Sequence, residues 1–380
     1  MAQVLVDAFG GGMGEVAASA GVSDSTPGFS LLVARGEEVL FEGAFGRADL
    51  ETGRMLDPRD NLLIASNTKQ LACLCALILV DRGLLALDEP VGEALPGLPD
   101  ALARVTPLEL MHHTSGVPDY TDRAYFEDEA AAHATAEEVI RRVARRGALD
   151  FAPGTSWSYS NTGYVMLGEV VCRLSGVPFG CFLEREVLRP LGMWHSFAPD
   201  DDCHRDRWQV RGYGRVGSEG KGLVGEAAPP HTCGPAQGVT WFAYPYDMRQ
   251  VGYADGNVSS NVEDLLRWHA WLFDGVGPQL VSPELKRLFF GDVVLPNGRP
   301  TGYGLALFHD APDAASYAVG EAPHAPGHHE VWHSGSTSGF VSCLGRYPDE
   351  GLSVLMLCND EGLDRDSLYA DVSAIALANG

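Results

Sequence analysis

Ser66 and Lys69 stand three residues apart in the run IASNTKQLACLCALILV. Positions i and i+3 share a helix face, so Lys69 would lie beside the Ser66 hydroxyl. Serine attacks a carbonyl only when a base takes its proton. A lysine buried in a cleft loses affinity for its own proton and can be that base. Ser66 also falls at the expected start of a helix, where free backbone N–H groups favour developing negative charge. Taken alone, the pair equally describes a helix cap followed by a solvated lysine; the apolar run behind it favours a buried helix start.

Two further groups could serve the same chemistry. Tyr159-Ser160-Asn161 sits in FAPGTSWSYSNTGYVMLGEVV, after the turn residues Pro153 and Gly154 and just before a helical run. A phenol and an amide two residues apart on such a loop can aim the same way, and a tyrosine beside a lysine can join a proton relay. By itself the triplet is also a helix cap with a packing tyrosine. His333-Ser334-Gly335, followed by Ser336, reads as a strand on which glycine lets a substrate backbone come close. The backbone N–H groups of Ser336 and Ser66 would then form an oxyanion hole.

The same C-terminal stretch offers a competing chemistry. HEVWH, 329–333, matches the zinc-protease pattern H-E-x-x-H, which works when both histidines project from one helix face and the glutamate acts as base. Here Pro326-Gly327 precede it and Gly335 follows, so the segment is too broken for a good helix, and Glu350 and Glu361 are only available third ligands. Cys203-His204 with His231 and Cys233 match no common zinc module. Gly12 to Ala17 fit a loose G-x-G-x-x-A fingerprint, without an evident βαβ unit. G-x-S-x-G is absent, which argues against an α/β-hydrolase elbow. The residues therefore call for no metal and no cofactor.

These side chains must be positioned by the elements around them. GFSLLVARG and EVLFEGAFGRADL, separated by Gly36 to Glu38, predict a β-hairpin. A helix is predicted over 66–82, stopped by Gly83. From about 87 to 271, helical runs such as TAEEVIRRVARR and TGYVMLGEVVCRLSG alternate with Pro- and Gly-rich turns. Strand-like segments return beyond 301 as GYGLALF, GFVSCLGRY and LSVLMLCND, and DRDSLYADVSAIALA predicts a terminal helix. The stretch 216–256 resists assignment. The pattern implies a sheet built from sequence-distant parts, with residues 1–86 and 285–380 forming a discontinuous α/β lobe and 87–284 a mostly helical lobe. A cleft between two lobes is a usual place for a ligand site.

Composition narrows the function classes. The 380 residues carry 51 acidic and 27 basic side chains, a formal net charge of -24, and 45% hydrophobic residues. Such a surface repels phosphate backbones, so nucleic acid is not expected as a partner. The longest apolar stretch, 71–80, is too short to span a bilayer, so no membrane role is expected. The N-terminal run has no basic start followed by an apolar segment and cleavage site. Eight cysteines lack C-x-x-C pairing, which with the missing leader suggests a reducing cytoplasm. Oligomeric state is not legible.

S-x-x-K, then Y-x-N, then [K/H]-x-G, in that order, resembles the penicillin-recognising serine enzymes. Within them the chain is similar to the class C β-lactamase-like branch of D-aminopeptidases, DD-peptidases, esterases and acyltransferases. VTPLELMHHTSGVPDY looks like that branch's LL-x-HTSG-x-P segment, DGNVSSNVEDLLRW like GG-x-x-S-x-x-DL, and YGLALF like YGLG, so the resemblance spans about 28–360. It implies an α/β (α+β) fold of the serine β-lactamase/DD-peptidase type: an antiparallel sheet flanked by helices, a mostly helical lobe, and the active site in the cleft between them. It implies Ser66 as the acylated nucleophile, with Lys69 and Tyr159 handling its proton. Asn161 would hold Lys69 and the substrate amide. His333 would line the opposite wall, Ser334 and Gly335 would meet the substrate, and Ser66 and Ser336 would bind the oxyanion. Histidine replaces the lysine that β-lactamases of this branch carry, and a neutral histidine captures anions weakly at pH 7. The reading is a metal-independent serine hydrolase acting on small amides or peptides, with a D-residue as a candidate acyl donor. An esterase or transacylase is the alternative, β-lactamase and DD-carboxypeptidase activity are less expected, and a catalytically idle binding protein is the non-enzyme alternative.

Overall fold

The computed structural model describes residues 2–122, 134–198, 210–216, 232–236, 239–244, 253–311, 313–316 and 323–379. Eleven elements frame the site. In chain order they are α1 (Ala2–Ser19), β1 (Phe29–Arg35), β2 (Glu38–Phe45), α2 (Thr68–Asp81), α3 (Asn161–Ser175), α4 (Val262–His269), β3 (Phe308–His309), β4 (Val331–Thr337), β5 (Phe340–Tyr347), β6 (Leu352–Cys358) and α5 (Arg365–Asn379). The strands form one antiparallel sheet in the order β3-β4-β5-β6-β1-β2. The predicted hairpin is present, and β1 closes the sheet from the far end of the chain, with Phe29 opposite Cys358 and Arg35 opposite Leu352.

β5 and β6 are buried along their whole length, and β1 up to Arg35. Near-continuous apolar strands are unusual in an antiparallel sheet unless both faces are covered. Here α1 and α5 cover one face, where Met13, Leu31, Val33, Val354, Leu368 and Val372 meet. On the other face Leu32, Ala34, Leu355 and Leu357 join a core that includes α2 and α4. α2 is buried from Thr68 to Leu79. A helix apolar on every side is a core helix, and no single helix among the described residues is long and apolar enough to cross a membrane.

One expectation changes, and two stretches without a predicted element gain one. GYGLALF joins the main sheet only through its last residue, Phe308, because Gly302 and Ala306 take positive φ, 68° and 55°, and turn the chain so that Tyr303 bridges back to Phe308. The glycine-rich N-terminus is helical, so Gly12 to Ala17 lie inside α1 and not on a phosphate-binding turn. Within the unassigned stretch, Val239–Ala243 pairs with Tyr213–Arg215 and with Thr232–Ala236 to make a small separate sheet. Cys203, His204 and His231 lie outside the described residues.

Candidate active site

Ile64 leads into a 3-10 turn, Ala65–Asn67, which runs directly into α2. Ala65 adopts φ 49°, a left-handed conformation that costs a non-glycine residue about 1 kcal/mol or more. That turn lifts Ser66 out of the core: Ser66 is partly exposed while both of its neighbours are buried. Across from it runs β4. β3 covers only Val331 and Trp332, so from His333 onward the outer edge of β4 has no strand partner among the described residues. A Cβ on Gly335 would lie 2.5 Å from the Ile64 carbonyl oxygen and 2.4 Å from Ser342 Oγ. Glycine is therefore needed here so that the strand can touch the turn that carries Ser66. This contact brings the open edge with Ser336 to the start of α2, as an oxyanion hole shared by Ser66 and Ser336 requires.

Gly335→Ala is accordingly expected to force the strand and the turn apart. Overpacking of this kind costs about 1–3 kcal/mol, and a displaced nucleophile can lose about 10²-fold in rate. Thermal melting and kcat/KM measured on the same sample check both effects; an active variant with an unchanged melting point would show that the contact is not needed.

Lys69 is fully buried. Its Nζ donates to Ser66 Oγ at 3.0 Å, to Asn161 Oδ1 at 2.8 Å and to the Asp255 carbonyl at 2.5 Å. An ammonium has three donors, so the charged form is saturated. When Lys69 is neutral, the amide and the backbone carbonyl can only accept, so they hold its two remaining hydrogens. The lone pair is then left pointing at the Ser66 hydroxyl. Burial pulls the Lys69 pKa down to about 8, against the opposing pull of Asp255 and Asp119. Geometry and electrostatics both suit Lys69 to accept a proton from Ser66.

Asn161 begins α3, whose cap is Ser160 accepting from the Gly163 N–H. Since Lys69 only donates, the Asn161 amide is oriented with Oδ1 toward Lys69, and its Nδ2 donates to Asp119 Oδ2 at 3.0 Å. Half of the expected role is thus in place, while one of the amide donors expected for substrate is committed to Asp119. The Tyr159 ring lies over Lys69 Nζ, 5.0 Å from its centroid. His113, which takes φ 59°, packs against that ring at 4.1 Å and also against Tyr303 at 4.9 Å. The Ser160 N–H donates to His113 Nδ1, which fixes the proton on Nε2, and burial holds this imidazole neutral.

His333 faces the same cluster from β4. Its Nδ1 lies 2.5 Å from the Ser334 carbonyl, which can only accept, so the proton is on Nδ1; the Tyr303 hydroxyl then donates to Nε2 at 3.0 Å. Burial, followed by the nearby charge of Lys69, lowers the His333 pKa to about 3. This position therefore presents a neutral imidazole. Ser334 is 6% exposed, so it offers a substrate little beyond backbone.

HEVWH is not a helix: β4 begins at Val331. Side chains alternate along a strand, so Glu330 and His333 point to opposite faces. Glu330 is buried, bonded to the His324 N–H at 2.8 Å and beside His324 Nδ1 at 3.1 Å, while His329 is exposed. Among the described residues no group of three or more His, Cys, Asp or Glu is arranged to hold a metal.

Three groups close to Lys69 carried no signal in the sequence. Asp119 and Tyr120 come from the loop after HTSG, and Asp255 from the short turn Tyr253–Gly256. Tyr120 donates its hydroxyl to Asp255 Oδ2 at 2.8 Å. Each belongs to a segment that could be matched by pattern, but nothing local marks it as a neighbour of Lys69.

Comparison with known proteins identifies the family and the fold. The Beta-lactamase family model matches residues 7–378. Esterase EstB of Burkholderia gladioli is 37% identical over 385 residues, covering 90% of this chain and 91% of its own. A D-aminopeptidase of Cereibacter sphaeroides is 25% identical over 356 residues, covering 93% of this chain and 60% of its own longer one. The structure of D-amino acid amidase from Ochrobactrum anthropi SV3, complexed with L-phenylalanine, has the same fold, with a TM-score of 0.74, 23% identity, and coverage of 98% of this chain and 97% of that one.

Proposed function

The chain belongs to the Beta-lactamase family, and on that premise we propose that it is a serine hydrolase that forms an acyl-enzyme at Ser66 and acts on small esters whose acyl part bears no carboxylate. The observation that carries the acyl-enzyme reading is the 3.0 Å contact between Lys69 Nζ and Ser66 Oγ, with the other two Nζ contacts fixed on acceptors. Neutral Lys69 takes the hydroxyl proton as Ser66 Oγ bonds to the substrate carbonyl. The oxyanion is held by the Ser66 and Ser336 N–H groups. Collapse expels the alkoxide, which receives the proton from Lys69 directly or through Tyr159. Water then repeats the sequence on the acyl-enzyme and regenerates Ser66.

One observation favours an uncharged acyl group and another favours an ester. His333 is neutral and held by Tyr303, so it supplies no cation for a carboxylate. The likeness to EstB, moreover, spans about nine-tenths of both chains. Small amides, the leading expectation from the sequence, are the second reading and are favoured by the D-aminopeptidase relative. The test compares p-nitrophenyl butyrate, D-alanyl p-nitroanilide, its N-acetylated form and a chromogenic cephalosporin, with wild type and Ser66→Ala. Ser66-dependent turnover led by the ester supports the proposal. Turnover led by the free-amine anilide would shift the reading to an amidase, and turnover led by the cephalosporin would overturn the exclusion of carboxylates.

A further inference from the structure

Asp255 touches Lys69 through its backbone and acts on it through its charge. Its carbonyl accepts from Nζ at 2.5 Å, and its carboxylate lies in the same buried pocket, 4% exposed, with Oδ2 taking the Tyr120 hydroxyl at 2.8 Å. Oδ1 is buried with no hydrogen-bond partner among the described residues. Burying a carboxylate oxygen without a protein partner is costly, and such a group beside a reactive centre calls for a functional account. From these contacts we infer that Asp255 is a positioning residue whose charge sets the protonation of Lys69, and with it the pH range in which Ser66 is acylated. This rests on the reading of Lys69 as the base for Ser66.

The surroundings decide the sign. α2 contributes Lys69 and the buried thiol of Cys73, and the loop after HTSG contributes Asp119 and Tyr120. α3 contributes Asn161 and the buried phenol of Tyr164, and the 3-10 turn contributes Ser66. The short helix Phe179–Leu183 beside the turn has one titratable residue, Cys181, which is exposed. Tyr159, His113 and His333 face Lys69 from the cleft side, and both histidines are held neutral by burial. One ammonium therefore stands against two carboxylates in a buried site. Burial pushes Asp255 up to about 7, while Lys69, its own proton loosened by burial, is held by these carboxylates to about 8. Lys69 and the Tyr120 hydroxyl favour the ionised form of Asp255 against its burial. Its charge then resists the loss of the Lys69 proton, so acylation is delayed to higher pH than burial alone would set.

Asp255→Asn keeps the shape, the backbone carbonyl and an oxygen for Tyr120, and removes the charge. The measurement is the pH profile of the p-nitrophenol burst, which reports acylation, for wild type, Asp255→Asn and Tyr120→Phe. The acid limb of Asp255→Asn is expected to move down by about one pH unit, a roughly tenfold gain at pH 6 relative to its own plateau. Tyr120→Phe withdraws the hydroxyl that favours the ionised carboxylate, so its limb should move the same way by less. A limb that stays in place or moves up in folded Asp255→Asn overturns the inference. If that variant does not fold, an unmoved limb in Tyr120→Phe overturns it instead. Ser66→Ala assayed alongside separates the two levels: loss of its burst keeps the acyl-enzyme reading standing whatever Asp255 does, and a retained burst removes that reading.

Discussion

Ser66→Ala is expected to lower kcat/KM for every ester and amide substrate by about 10⁴-fold or more, the scale seen when a nucleophile that acts as part of a unit is removed. The loss should be chemical and not structural. Ser66 is partly exposed, and its hydroxyl accepts from Lys69, which keeps its two other acceptors, Asn161 Oδ1 and the Asp255 carbonyl, when the hydroxyl goes. Losing one such hydrogen bond changes stability by about 1 kcal/mol, so the melting point should move by only a few degrees. Intact-protein mass spectrometry after brief exposure to a slowly deacylated ester gives the direct check. Wild type should carry one added acyl mass and Ser66→Ala none. Acylation of the variant, or turnover within tenfold of wild type, would place the nucleophile elsewhere and remove the basis of the proposed mechanism.

The parts of this site that were legible in the sequence are those set by local spacing. Ser66 and Lys69 meet because a helical register brings i and i+3 together, and the apolar run behind them correctly marks α2 as buried. Tyr159 and Asn161 were placed by a turn followed by a helix start, and His333 by a strand pattern. HEVWH shows the limit of pattern alone: the letters fit a metal helix, but a two-residue period sends Glu330 to His324 under the sheet and His333 into the cleft.

What was not legible depends on distant partners. Asp255 reaches Lys69 across 186 residues. An aspartate before a glycine reads as an ordinary turn, and only the packing of its segment against α2 and α3 turns it into an electrostatic neighbour. α1 was missed for a different reason. Its glycines lower helix propensity, and the helix persists because it packs on β2 and α5, with Ile375 placed 3.3 Å from where a Gly12 Cβ would stand. The neutral state of His333 was expected from the residue type, but the partner of its Nε2, the hydroxyl of Tyr303, lies in a stretch read as a strand and found to be a turn.

Lys69→Met should bring the second largest loss, about 10²–10⁴-fold in kcat/KM, the range for removing a general base. It should also abolish the acid limb of the burst profile, because that limb is the deprotonation of Lys69 near pH 8. Stability supplies an independent readout, with a sign that can be worked out. Asp255 already holds its proton up to about 7, well above its ordinary value of 3.8, and Lys69 is the charge that restrains this rise. A carboxyl whose pKa is raised on folding contributes stability that is fully present below its unfolded pKa and is lost as pH rises through the folded one. Removing the Lys69 cation raises the folded pKa of Asp255 further and lets Asp119 follow, so the pH-dependent loss between about 4 and beyond 7 grows. Lys69→Met should therefore melt at a higher temperature at pH 5 than at pH 8, with a larger difference than wild type shows. If the variant loses activity but its melting point depends on pH no more than that of wild type, Lys69 acts at Ser66 without being the counter-charge of the buried aspartates. If it keeps its acid limb, the base is another group, and Tyr159, lying over Lys69, is the one to replace next.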